Sequence, residues 1–433
     1  MMTKIGGDGR GAGDTRSACE AESSCWAPAR TSEFLTLDRA LAERFSAALR
    51  AAGIPEGFSV APARQIVSCA TLADIAEFMR VFNRVTGREA WRAAALREAP
   101  AIAQAVRREV CFFSAWDFHL TPENGFELIE FNDNGSGFLF AAIINAAGDE
   151  LLGPEARIAQ SPTVDAFLAT IAGFIEREAA NFFEEEANGL LLIVDDPESL
   201  SEGKFRDEIR LLRDLLRERG WRAEVASPSE TRWNGRQLMF GAAPVAVLIN
   251  RSTDFFWRSD DFAALRCAYQ TGSVYAAPNP FTYATRSDKR LLEWLSSPRW
   301  DTDLGIEADE RIALSAHVPE THVLRADNVD MLARRKLELV FKPAHGFASR
   351  GLLDSAAIGR ARLRQLLKRG ERYVAQRRVA KPSFEVEGVR LWTDLRVWAY
   401  RGEIFLMSGR ASRRPDRLDL TPPGGWLPTY ASP

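Results

Sequence analysis

The sequence predicts a mixed α+β and α/β protein, and three patterns carry that expectation. Two strand-like segments with a turn between them, over 110–132, follow a run of helical periodicity. A strongly apolar strand, Leu190-Leu-Leu-Ile-Val194, starts an alternation of strands and helices, and a second hairpin turns at Arg401-Gly402. With 433 residues, 46% apolar and 27% charged, the chain can fill two or three packed units.

Taken in order, residues 1–33 mix glycine, serine and charge without the apolar stretch of a signal peptide, and read as a disordered tail. Leu37, Leu41, Phe45 and Leu49 recur every four positions, which predicts a helix over 34–53. Helical patterns continue over 71–86 and 90–110. The strands 110–120 and 126–132 then flank the turn Pro122-Glu-Asn-Gly125, and a helix over 162–180 completes a first unit, 34–185.

The second unit, 186–290, is a small Rossmann-like βαβ arrangement. It holds strand Leu190–Val194, a charged helix over 205–219, and strands near 222–226 and 245–249. Asp195-Asp196-Pro197 closes the first strand at its carboxyl end, where open α/β sheets bind ligands. The third unit, 291–433, has a helix over 289–295 at its edge, strand 337–342, helix 357–369, strand 372–377, and a hairpin pairing 394–400 with 403–408.

Composition removes several functions. Basic and acidic residues, 56 and 59, are spread along the chain for a net charge of −3, so neither nucleic acid nor an acidic membrane surface is an expected partner. The runs 137–148 and 237–250 fall short of the roughly twenty apolar residues that span a bilayer. Cys19, Cys25, Cys69, Cys111 and Cys267 form no CxxC pair and the four histidines are scattered. That usage suits a reduced, cytoplasmic protein without a zinc site.

Four segments can carry chemistry. Alternation puts Glu130 and Asn132 on one strand face, and the hairpin can bring Asp117 beside them, giving hard oxygen donors of the kind magnesium takes together with phosphates. A solvated strand face is the competing reading. Lys342 ends an apolar strand and precedes a loop with Gly346, Ser349 and Gly351, which offers a point charge and backbone N–H groups to phosphate, or else is a surface turn. Tyr373-Val-Ala-Gln376-Arg-Arg-Val379 is an extended segment whose backbone could pair with an adenine edge. Asp394, Arg396 and Arg410 place two guanidinium groups near one hairpin, where they could serve a transferring phosphoryl group or a structural ion pair. Lys289, next to a capping Asp288, reads on its own as a solvated helix residue.

Together these segments resemble the ATP-grasp superfamily, and their order over 110–425 resembles its circularly permuted branch, which includes glutathionylspermidine synthetase-like proteins. The acidic hairpin comes first and the lysine strand later, the reverse of ordinary ATP-grasp enzymes. The resemblance implies Asp117, Glu130 and Asn132 as magnesium ligands, and Lys289 and Lys342 as phosphate contacts. It also implies the loop Gly346, Ser349, Gly351 as a mobile cover over the phosphates, Gln376 and Val379 as the adenine hinge, and Arg396 and Arg410 as catalytic cations. Two positions depart from the pattern: Arg377 stands where the family usually has an acidic residue, and Thr421-Pro422 where Thr-Asn is expected.

The implied activity is an ATP- and magnesium-dependent ligase joining a small-molecule or peptide carboxylate to an amine through an acyl phosphate. A small-molecule kinase on the same site and a non-catalytic ATP-binding scaffold are the alternatives. A homodimer is the default oligomer.

Overall fold

The computed structural model describes residues 32–122, 125–152, 161–183, 189–297, 304–346 and 351–432. Its largest antiparallel sheet is built from both hairpins. The order is Gly425–Leu427, Glu403–Ser412, Val389–Tyr400, Ser114–Thr121, Gly125–Asn132, with Ser383–Val386 paired to Val389–Tyr400. One register row therefore runs Glu130, Asp117, Arg396, Ser408 across four strands. The first hairpin sits against the second although the sequence separates them widely.

Leu190–Val194 lies between Ala223–Ala226 and Ala243–Asn250, parallel to both, with Tyr275–Ala277 parallel on the far side. Leu191 and Ile193 pack with the helices Val164–Phe183 and Arg206–Glu218, whereas Leu190, Leu192 and Val194 pack with Ala263–Gln270. Burial on both faces explains why this strand reads as an unbroken apolar run. A third sheet, Thr321–Val323, Tyr373–Arg377 and Leu339–Pro343, is antiparallel and shares a core with the helices Val329–Arg334 and Arg360–Lys368.

The amino end differs from expectation. Residues 1–31 lie outside the described residues, and Ser32–Thr36 is a strand, so the expected tail overran the fold by two residues and the expected helix began too early. Asp38 caps the real helix, Arg39–Ala51, by accepting from the Leu41 N–H at 2.8 Å. The strand pairs with Ala63–Ser68, which in turn pairs in parallel with Thr429–Ser432. The helix expected over 90–110 is shorter, Glu89–Leu96, with a 3₁₀ turn at Ala101–Gln104 after Pro100. Glu123 and Asn124 of the expected turn lie outside the described residues. No helix among the described residues is long and apolar enough to cross a membrane.

Candidate functional site

The six-stranded antiparallel sheet, the three-stranded sheet and the Rossmann-like unit surround a cavity of about 450 Å³. Asp117, Glu130, Asn132, Lys289, Lys342, Gly346, Gln376, Val379, Arg396 and Arg410 all line it, so residues from five separate segments of the sequence meet in one place. Gly351 does not line it. That residue packs on Pro343, and its carbonyl accepts from the Tyr373 hydroxyl at 3.1 Å. Ser349 lies outside the described residues.

The sheet wall is an ion-pair network. Both Asp117 carboxylate oxygens accept from Arg396 at 2.6 Å, and Arg410 stands 3.1 Å from Asp117 while its guanidinium also grips Asp394 at 2.7 and 2.9 Å. The register makes this unavoidable, since Arg396 faces Asp117 and Arg410 faces Asp394 across adjacent strands. Burial pushes the Asp117 carboxyl up, but the charges and hydrogen bonds of the two arginines outweigh it and hold the group well below the usual carboxylate range.

Beside it, Glu130 Oε1 accepts from Asn132 Nδ2 at 3.0 Å and lies 3.1 Å from Lys289 Nζ. Burial opposes the charge of Glu130, and Lys289 and then Lys342 restore it, so its carboxyl also titrates below the ordinary value. A register shift between Asp117 and Phe118 leaves Ile129 out of the pairing. The bulge turns the Ile129 carbonyl to the cavity, 3.4 Å from Lys342 Nζ.

Lysines add further cations around the rest of the cavity. Lys342 Nζ donates to Gln376 Oε1 at 2.7 Å, and Lys289 Nζ donates to the Gly346 carbonyl. Burial lowers the Lys342 ammonium to about 8, against the pull of Glu130 and with added repulsion from Lys289. Burial likewise lowers Lys204, helped by Arg410 and Arg396, and Lys381, where Arg410 repels and Asp394 opposes. Among the described residues, eleven Lys and Arg side chains face five Asp and Glu side chains around the cavity. Such a surplus suits a polyanion.

At the hinge, the N–H groups of Arg377 and Arg378 donate to the Glu320 and Glu338 carbonyls, and the Val379 carbonyl lies 3.2 Å from His119 Nδ1. Arg377 turns to Glu127. These contacts leave less open backbone for a purine edge than an isolated extended segment would offer.

The loop after Asn132 is tied down at several points. Gly135 is needed for close approach, because a Cβ there would lie 2.0 Å from the Phe113 carbonyl. Arg251 donates to the Gly135 carbonyl at 3.0 Å and to Ser136, and Glu208 accepts from the Gly137 and Leu139 N–H groups at 2.9 Å each. Two buried atoms at this end, Asn134 Oδ1 and Arg251 Nε, have no hydrogen-bond partner among the described residues. Burial pushes the nearby Asp195 carboxyl up to about 7, with Arg251 opposing.

In overall shape the chain matches a glutathione synthetase-like effector from Globodera pallida in its apo form, with a TM-score of 0.54, 12% identity, and coverage of 90% of this chain and 97% of that one. The chain shares the overall fold of that glutathione synthetase-like protein. Weaker likenesses are to a gamma-glutamylcysteine synthetase-like protein from Methylobacillus flagellatus (TM-score 0.45, 12% identity, 84% of this chain and 88% of that one) and to the ATP-grasp ligase PsnB complexed with minimal precursor (0.28, 12%, 56% and 89%). Neither a family model nor a curated protein matches the sequence.

Within this fold the donor chemistry fits a hard cation only in company. Among the described residues no group of three His, Cys, Asp or Glu side chains could hold a metal. Glu130 and Asn132 offer oxygens on one face, and both protein contacts of Glu130 named above fall on Oε1. Asp117 is already engaged by two guanidinium groups. Phosphate oxygens would have to complete the coordination, which is how magnesium is usually held. Sequence reasoning missed Lys204, Arg251 and Lys381 as cavity residues. Arg251 follows the carboxyl end of a parallel strand, the position that could have signalled it.

Proposed function

We propose that the chain is an ATP- and magnesium-dependent ligase that joins a carboxylate to an amine, with the elements of its ATP-grasp site in circularly permuted order. The observation that carries the reading is the single cavity in which Lys289, Lys342, Arg396 and Arg410 meet Glu130 and Asn132. Lys342 and Lys289 would hold the phosphates, and Glu130 and Asn132 with those phosphates would hold magnesium. The metal, when bound, neutralises charge on the transferring phosphoryl group.

Attack of a substrate carboxylate on the γ-phosphate forms an acyl phosphate and releases ADP. The amine then displaces phosphate as the amide bond forms. Arg410 and Arg396, fixed by the Asp117 and Asp394 carboxylates, would face the developing charge without having to reorganise. The unpartnered Arg251 Nε and Asn134 Oδ1, with Lys204, mark the end of the cavity suited to an anionic substrate. Asp195, held near 7, is matched to taking a proton from the acceptor amine.

The test is ADP release with pools of carboxylates, with hydroxylamine added as a trap. Hydroxamate formed only with magnesium, ATP and a carboxylate supports the ligase. ADP release with a stable phosphorylated product and no hydroxamate would make the protein a kinase.

A further inference from the structure

We propose that His119 selects the nucleoside of the bound nucleotide by accepting, through Nε2, a hydrogen bond from an N–H or O–H donor of that nucleoside. The inference rests on the ATP site argued above. Strand alternation places His119 on the face of Asp117 and two residues further along Ser114–Thr121, and both side chains line the cavity. Two residues of strand are about 6–7 Å, a step from the phosphate end of the cavity toward the hinge.

The hinge fixes the ring. His119 Nδ1 lies 3.2 Å from the carbonyl oxygen of Val379, just past the strand that carries Gln376. A carbonyl only accepts, so Nδ1 carries the hydrogen. Above the ordinary imidazole pKa of about 6.5 the ring has one such hydrogen, and Nε2 is then a bare acceptor. The residue is 8% exposed, and its place on the cavity lining is where a ligand can reach it. A base or sugar is the part of a nucleotide that brings a neutral donor, since the phosphates bring only acceptors. The donor is the purine 6-amino group or a ribose hydroxyl, and nucleotide analogues separate the two.

The experiment measures binding at pH 8, with magnesium, of ATP, ITP, 2′-deoxy-ATP and 3′-deoxy-ATP to three proteins: the wild type, His119→Asn and His119→Gln. Asparagine keeps a donor for the Val379 carbonyl but lacks the distal acceptor, and glutamine carries an acceptor at the distal position. The expected result is a wild-type preference for ATP of about tenfold over one analogue. His119→Asn brings that ratio close to one by weakening ATP alone, and His119→Gln restores part of it. The analogue concerned identifies the donor. A wild type that treats all four nucleotides alike overturns the proposal, as does a His119→Asn protein that keeps every ratio. If the wild type binds none of the four, the ATP-site reading fails and this inference falls with it.

Discussion

The two walls of the cavity hold their charges in different ways. On the six-stranded sheet Asp117 is held by Arg396 and Arg410 and Asp394 by Arg410, with Glu130 at the edge meeting Lys289. On the three-stranded sheet Lys342 meets neutral oxygens, those of Gln376 and Ile129. The first wall is a closed network that sets geometry, so its members should matter to folding. The second is a cation kept partly desolvated, so its removal should cost binding rather than stability.

The largest stability effect is expected at the first wall. Asp117→Ala leaves two buried guanidinium groups short of an anion, a loss of about 3–5 kcal/mol, read as a marked fall in Tm. The carboxyl of Asp117 is held below its unfolded value, so its contribution is complete above about pH 4 and fades as pH falls through the lower folded value. The acid limb of the wild-type stability curve should therefore be steeper than that of Asp117→Ala. Equal melting of the two proteins would mean that the network is not fixing the sheet.

Glu130→Ala sits between the walls. It is expected to abolish magnesium-dependent turnover while circular dichroism and gel filtration remain those of the wild type. Normal turnover in the folded variant would remove Glu130 from the metal site. At the second wall, Lys342→Ala should weaken ATP binding by roughly tenfold to a hundredfold, the size of a charged hydrogen bond. Its Tm should change little, because burial already disfavours the ammonium.

The smallest effect is in pH. Lys342 loses its proton as pH rises through about 8, so ATP affinity should be level near pH 7 and decline above 8 in calorimetric titrations. Lys342→Arg should flatten that decline, since a guanidinium stays charged.

Much of this contrast was legible in the sequence. Two-residue alternation around Glu130 and Asn132 and the hairpin turn at Arg401-Gly402 are local signals, and both hairpins form as expected. The direct pairing of Asp117 with Arg396 was not legible, because it depends on which strand neighbours Ser114–Thr121 in the sheet. The sheet of Ser32–Thr36, Ala63–Ser68 and Thr429–Ser432 was missed for a related reason: its strands are short and come from opposite ends of the described chain. The helix Phe138–Leu152 was missed because it opens with the nearly unbroken apolar run Phe-Leu-Phe-Ala-Ala-Ile-Ile, buried throughout, so no polar stripe marks a 3.6-residue period.

The central claim is that the cationic cavity is a nucleotide site completed by magnesium. The most direct test is the thermal shift of the purified protein with ATP and magnesium, compared with ATP plus EDTA, since a ligand that binds only the folded state must raise its stability. Tm should rise with ATP, and by more when magnesium is present. No rise at saturating ATP, with or without magnesium, would contradict it.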